Sequence, residues 1–309
     1  MPSSAVSDSG KSDHETSDFE ELLAILHLTP LGADTFAGRH PRKNPVRTFG
    51  GQMMAQAFTA ASRTLEHDLP PSALSVHFIA GGDPARDIEF HVVRLRDERR
   101  FANRRVDAMQ DGKLLATALV SYLAGGHGLE HNSPAPKVPE PHILPGIDDV
   151  LVGYEKVVPH FANALRPIEW RYTNDPAWVM RDKGDRLDRN RVWMKAAGSM
   201  PADPVLHTAA MVYASDTTVL DSIITTHGLS WGWDRIFAVT INHSVWFHRQ
   251  VDFGDWVLYS TTSPVAAESR GLGMGHFFNP AGEVVATVAQ EGIVKYFPGS
   301  PDQRRGAVV

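Results

Sequence analysis

Three polar residues stand inside apolar patterns in the second half of this chain. Along the helical stretch Val212 to Ser222, at 100° per residue, Asp216 falls within the stripe of Val212, Tyr213, Leu220 and Ile223. Asp221 falls toward the polar side. In the strand-like run Ile236 to Asn242, Thr240 shares a face with Ile236 and Ala238, and Gln290 extends the row Val284, Ala286, Val288. A threonine hydroxyl and a glutamine amide can each hold a water or hydrogen-bond a carboxylate, so the three would satisfy one another if they converged. The plainer alternative for Asp216 is a carboxylate capped by its neighbours where a helix meets a sheet.

Other chemically capable groups have weaker settings. Gly228-Leu229-Ser230-Trp231-Gly232 matches G-x-S-x-G, but that nucleophile needs a strand–elbow–helix order. Here a helix precedes and a strand-like run follows, so a loop with glycines at its bends is expected. Gly271-Leu272-Gly273-Met274-Gly275 runs on into His276-Phe277-Phe278 and reads as a kinked or bulged strand instead of a phosphate cradle. His243 and His248, five apart, point to opposite faces of an extended strand, and no metal site is expected. Between Arg94 and Arg105 lie six arginines, either a solvated strand and turn or an anion patch. Arg99, Arg100, Arg104 and Arg105 are the candidates for holding a phosphorylated substrate. With no cysteine, disulfides and thiolate nucleophiles are excluded.

The elements that must position these residues form a repeat. Asp111-Gly112-Lys113-Leu114-Leu115-Ala116-Thr117 recurs 170 residues on as Ala281-Gly282-Glu283-Val284-Val285-Ala286-Thr287. Ser75-Val76-His77-Phe78 recurs 169 residues on as Ser244-Val245-Trp246-Phe247. Two matches at nearly one offset indicate duplication. Each half opens on an Ala- and Met-rich helix, Gln52 to Leu65 or Leu206 to Ile223, and continues in strands with a tight turn before the last. A duplicated α+β unit follows. Ser17-Asp18-Phe19-Glu20 is a capping box opening an earlier helix. The boundaries read as a disordered leader (1–17), a first domain (18–125), a linker around the proline-rich run Ser133 to Pro141 (126–160), a second domain (161–298) and a tail (299–309).

At 309 residues the chain suits two domains, and 42% hydrophobic with 21% charged residues fits a globular protein. A formal charge of −6 argues against a nucleic-acid partner. No apolar run reaches the roughly 18 residues of a membrane span, and no secretory signal is seen, so a cytoplasmic location is expected.

Several motifs in order give this sequence a family resemblance: Phe49-Gly50-Gly51-Gln52; Leu95-Arg96-Asp97, then Phe101 and Arg104-Arg105-Val106; Tyr213-Ala214-Ser215-Asp216; Thr240-Ile241 with His243-Ser244; Trp246-Phe247-His248-Arg249; and Gln290-Glu291-Gly292. Over about residues 20 to 298 the chain resembles the acyl-CoA thioesterase II family, whose members carry two hotdog domains. The resemblance implies a tandem hotdog, each half a long helix wrapped by a curved antiparallel sheet. It also implies an acyl-CoA substrate hydrolysed to fatty acid and coenzyme A. The work falls to a water positioned by an Asp/Thr/Gln constellation, matched here by Asp216, Thr240 and Gln290. Val120 stands where the repeat places Gln290, so the second half is expected to be catalytic. No cofactor is implied, and a homo-oligomer is expected. The oxyanion donor is expected to be a backbone N–H. Departures from the pattern are Asn242, Ala80-Gly81-Gly82-Asp83, Arg100 and Lys195, none of them in the trio. The alternatives are an acyl-CoA-binding sensor and a hotdog-type enoyl-CoA hydratase.

Overall fold

Ser17 opens helix α1 (Asp18–Leu26) through the capping box: its hydroxyl accepts from the Glu20 N–H, and the Glu20 carboxylate accepts from the Ser17 N–H. The computed structural model describes residues 16–43, 47–154, 165–180, 186–231 and 235–298. The expected tail, most of the expected leader and residues 155–160 of the expected linker lie outside them.

The strands are β1 (Thr29–Pro30), β2 (Thr35–Gly38), β3 (Pro71–Phe78), β4 (Ile88–Glu98), β5 (Phe101–Gln110), β6 (Lys113–Leu123), β7 (Ile168–Tyr172), β8 (Arg189–Ala196), β9 (Ile236–Phe247), β10 (Val257–Ala267), β11 (Arg270–Phe278) and β12 (Val284–Tyr296). They pair antiparallel into a 12-stranded sheet in the order β1-β2-β4-β5-β6-β3-β9-β12-β11-β10-β8-β7. Read outward from the centre, both halves have the same strand order, which is the duplication expected from the sequence. Strands β3 and β9 form the seam. There Ser75 pairs directly with Ser244, their hydroxyls 3.0 Å apart. These are the equivalent serines of the repeat, so the local two-fold axis relating the halves passes beside them.

Helix α2 (Gly50–Ser62) buries Met54, Phe58 and Ala61 under the first half of the sheet. Phe58 lies against Tyr122 and Phe247, with ring centroids at 6.4 and 5.8 Å, and its loss would cost about 3–5 kcal/mol. A short helix, α3 (Ile147–Val150), packs near β7. Helix α4 (Pro204–Ser215) opens with an N-cap, the Asp203 carboxylate accepting from the Val205 N–H, and packs against α2. The two helices touch at Gly51, where any Cβ would collide with the Tyr213 carbonyl oxygen.

The second central helix is shorter than the spacing predicts. Instead of one helix from Leu206 to Ile223, α4 stops at Ser215, and α5 (Asp221–Thr226) begins after a break. The cause is local competition for carbonyls. The Thr217 hydroxyl and N–H both donate to Ala214 C=O, leaving Asp216 as the C-cap. The break also resets the helical phase, so Asp221, expected on the polar side, is buried.

Two other expectations change. The proline-rich run is laid along the second half of the sheet, with Ala135 and Val138 against Trp193, Leu258, Phe278 and Val284. The Trp193 indole N–H donates to the Pro139 carbonyl at 2.9 Å, and the Val284 N–H donates to Asn132 Oδ1 at 2.8 Å. The glycine-rich stretch is strand β11, as expected, but the irregular residues lie on its neighbour β10 between Thr262 and Val265. Gly273 instead admits the segment between the two helices overhead: a Cβ there would stand 2.5 Å from the Val219 carbonyl oxygen.

Candidate active site

Strand β9 contains the irregularity that assembles the site. Its pairing with β12 runs Gln290 to His243 and Glu291 to Asn242, then jumps from Gly292 to Thr240, leaving Ile241 as an extra residue. Strict alternation would put Thr240 and His243 on opposite faces. The bulge turns both toward the helices, where Gln290 also points.

There the three residues singled out by pattern come together. Gln290 Nε2 donates to Thr240 Oγ1 at 2.7 Å, and Thr240 Oγ1 lies 3.4 Å from Asp216 Oδ1. The network continues beyond them to His243, which sequence reasoning set aside. His243 Nδ1 lies 2.5 Å from Gln290 Oε1, and its Nε2 lies 3.0 Å from Ser215 Oγ. Burial pushes His243 down to about 4, with Gln290 pulling the other way, so the ring is neutral at physiological pH. Because Gln290 Oε1 can only accept, the ring proton belongs on Nδ1, and Nε2 accepts from the Ser215 hydroxyl. Donation then runs one way: Ser215 to His243, His243 to Gln290, Gln290 to Thr240, Thr240 to Asp216. Hydrogen bonds aligned in this sense reinforce one another.

The carboxylate at the end of that chain also touches the first half. Asp216 Oδ2 accepts from the Gly51 N–H at 2.8 Å, at the N-terminus of α2, where the helix dipole favours negative charge. A Cβ on Gly50 would stand 2.6 Å from the same oxygen, so this helix start reaches the carboxylate because it carries no side chains. Burial pushes Asp216 up to about 7, against Gln290, the Gly51 N–H and Thr240, which favour the ionised form. Its remaining exposure is to a cavity of about 750 Å³ between the halves, lined also by Met53, Phe78, Leu220, Val239 and Ile293. The three side chains come from the second half, whereas the amide and much of the wall come from the first. Val120, the counterpart of Gln290, is buried in the core.

The remaining candidates lie elsewhere. Ser230 follows α5, precedes β9 and is fully buried, and it does not line the cavity. Ser230→Ala should therefore retain nearly the wild-type rate. Stoichiometric labelling of Ser230 by a fluorophosphonate, with loss of activity, would contradict this. His248 is exposed and pairs with the Thr287 hydroxyl.

Arg104 is not a surface cation. It is 0% exposed, and all five guanidinium N–H groups are used. They reach Thr64 Oγ1 and C=O, the Arg96 and Asn103 carbonyls, and Asp97 Oδ1 at 2.6 Å. A phosphate would have to displace that set. Arg104→Met should destabilise the fold by about 1–3 kcal/mol or more, because it leaves the Thr64, Arg96 and Asn103 carbonyls without their donor, and an unchanged urea midpoint would refute this placement. Arg99, Arg100 and Arg105 are exposed on the β4–β5 hairpin, Arg100 donating to Gly125 C=O and Arg105 pairing with Asp107. None of the four lines the cavity, whereas Arg47 does.

Comparison with known proteins gives a consistent picture. Residues 161–293 match the family described as acyl-CoA thioesterase, and residues 39–123 match the acyl-CoA thioesterase N-terminal domain. Human acyl-coenzyme A thioesterase 8 is 30% identical over 289 residues, covering 90% of this chain and 89% of that protein. Acyl-CoA thioesterase 2 of Haemophilus influenzae is 29% identical, covering 89% and 97%. Among solved structures, a tesB protein of Mycobacterium avium subs paratuberculosis superposes with a TM-score of 0.73 at 30% identity, covering 91% of this chain and 100% of that one. An acyl-CoA thioesterase II of Mycobacterium marinum superposes with the same score at 29% identity, covering 90% and 98%.

Proposed function

The chain belongs to the acyl-CoA thioesterase II family, a tandem hotdog thioester hydrolase, and from that premise we propose that it cleaves acyl-CoA by direct attack of a water activated by Asp216. The observation that carries this reading is the buried carboxylate facing a cavity at the end of the Thr240–Gln290–His243 chain. A base near 7 is ionised often enough at neutral pH to work and basic enough to take a proton.

In the proposed sequence, Asp216 and Thr240 hold the water against the thioester carbonyl. Asp216 takes one proton as the water oxygen bonds to the carbonyl carbon, and the carbonyl oxygen becomes an oxyanion. Gly50 lines the cavity, and its N–H, first in α2 and without an intrahelical acceptor, is the backbone donor we assign to that charge. Collapse of the intermediate breaks the carbon–sulfur bond, and the proton returns from Asp216 to the departing sulfur. Fatty acid and coenzyme A are the products.

For the coenzyme A phosphates, Arg47 offers a guanidinium on the cavity wall, and Arg99, Arg100 and Arg105 offer exposed charge on the β4–β5 hairpin. Neutralising whichever one binds should raise KM and leave kcat nearly unchanged, the mark of uniform binding. A homo-oligomeric state belongs to the same reading and is read by sedimentation velocity.

The test is release of free thiol from a panel of acyl-CoAs, with double-bond absorbance followed in parallel. Thiol release with kcat/KM rising through about pH 7 and level above is expected, since the base must be ionised. Hydration of enoyl-CoA without thiol release supports the hydratase, and tight binding without either reaction supports the sensor.

A further inference from the structure

The two halves of the chain offer an internal comparison for His243, to which the steps above give no part. His243 on β9 stands directly opposite Gln290 on β12. At the matching register of the repeat, Leu74 on β3 stands opposite Val120 on β6. All four side chains are buried. Where valine stands for the glutamine, leucine stands for the histidine, so the two polar residues are present or absent as a pair. Burying an imidazole is costly unless its nitrogens are partnered. The half without Asp216 and Thr240 does without that imidazole.

A glutamine amide carries a donor and an acceptor of nearly equal size, so its orientation needs a partner that distinguishes them. Two hydrogen-bond patterns fit the heavy atoms around Gln290. In the first, Ser215 donates to His243 Nε2, and His243 Nδ1–H donates to Gln290 Oε1. Gln290 Nε2 then donates to Thr240, whose own proton is left for Asp216. In the second, Ser215 donates to the Val212 carbonyl 2.8 Å away, and His243 carries its proton on Nε2. The amide is then turned, so that Oε1 faces Thr240 and takes the proton that Asp216 would have received. The first pattern gives the ionised Asp216 two donors, Thr240 and the Gly51 N–H, and the second leaves it one. We propose that His243 is the positioning residue of this site: its Nδ1–H holds the Gln290 amide in the first pattern and thereby aims the Thr240 hydroxyl at Asp216. The imidazole does not line the cavity, so it acts through Gln290 and not on the substrate. The inference rests on the thioester-hydrolase reading and adds the residue that sets its geometry.

The test combines thiol-release kinetics with NMR of the full chain labelled at its histidine ring nitrogens. His243→Leu should lower kcat by about 10–100-fold with KM nearly unchanged, the effect of one buried hydrogen bond lost from the machinery and not from substrate binding. His243→Asn, whose side-chain NH₂ can stand where imidazole Nδ1 stood, should recover most of that loss. A general loosening of the core would spare neither variant and would alter KM as well. His243→Leu combined with Gln290→Val copies the first-half pair. Because His243 acts through Gln290, that double variant should be no slower than Gln290→Val alone. In the wild-type spectrum, the signals that His243→Asn removes should report a neutral ring with its proton on Nδ1. A ring protonated on Nε2 would overturn the proposal. Full activity in His243→Leu, equal losses in the leucine and asparagine variants, or losses that multiply in the double variant would do the same. Should His243→Leu not fold, the double variant and the wild-type tautomer decide the matter. Absence of thiol release by the wild type from every acyl-CoA would instead overturn the hydrolase reading, and the tautomer then tests the amide orientation separately.

Discussion

Asp216→Asn should hydrolyse acyl-CoA roughly 10²–10⁴-fold more slowly than wild type and, above pH 7, unfold less readily. Asparagine keeps an oxygen to accept the Gly51 N–H but cannot take a proton from water. The stability gain follows from linkage. Burial raises Asp216 from 3.8 to about 7 in the folded state, so the unfolded chain releases this proton first as pH rises. The contribution is fully present below 3.8, is lost as pH rises to about 7 and stays lost above. A shift of about three units corresponds to at most about 4 kcal/mol, and the asparagine variant should recover part of it. Asp221, raised for the same reason, adds a parallel decline over the same window. Thiol release and urea denaturation on either side of that window check both halves of the expectation. A variant with full activity, or one no more stable than wild type at alkaline pH, would remove Asp216 from the role assigned to it.

Gln290→Leu should lower kcat by about 10²–10³-fold, the usual loss when one preorganised donor is removed, with KM changed much less. Gln290 is buried, donates to Thr240 and accepts from His243, so one substitution cuts the chain in the middle. It is also the largest of the influences holding Asp216 toward ionisation, and its loss should move the acidic limb of the pH profile above 7. That displacement separates loss of the network from a general loosening of the core, which would lower activity without shifting the limb. Gln290→Glu should shift the limb further still, because two neighbouring carboxylates resist losing both protons. An unshifted limb in both variants would show that Gln290 does not act on Asp216.

Much of this protein was legible without coordinates. The recurrence of Ser75-Val76-His77-Phe78 as Ser244-Val245-Trp246-Phe247 announced two halves, and those serines pair across the seam. Asp216, Thr240 and Gln290 were found because a carboxylate, a hydroxyl and an amide interrupt apolar rows, and desolvating such groups needs a reason. These signals are local: alternation along a strand and the turn of a helix are set by backbone geometry, so side-chain order reports them directly.

What the tertiary structure alone decided lies where that local phase is reset. The extra residue at Ile241 brings His243 to the side of Thr240, although a period of two separates them. The end of α4 at Ser215 buries Asp221 and makes Asp216 a cap instead of a mid-helix residue. Arg104 looked like its exposed neighbours and is enclosed by Thr64 and Asp97. The Gly51 amide reaches Asp216 from 165 residues away. In each case a bulge, a break or a buried charge is costly by itself and persists because a distant segment satisfies it, and the pattern along one segment carries no record of its distant partner.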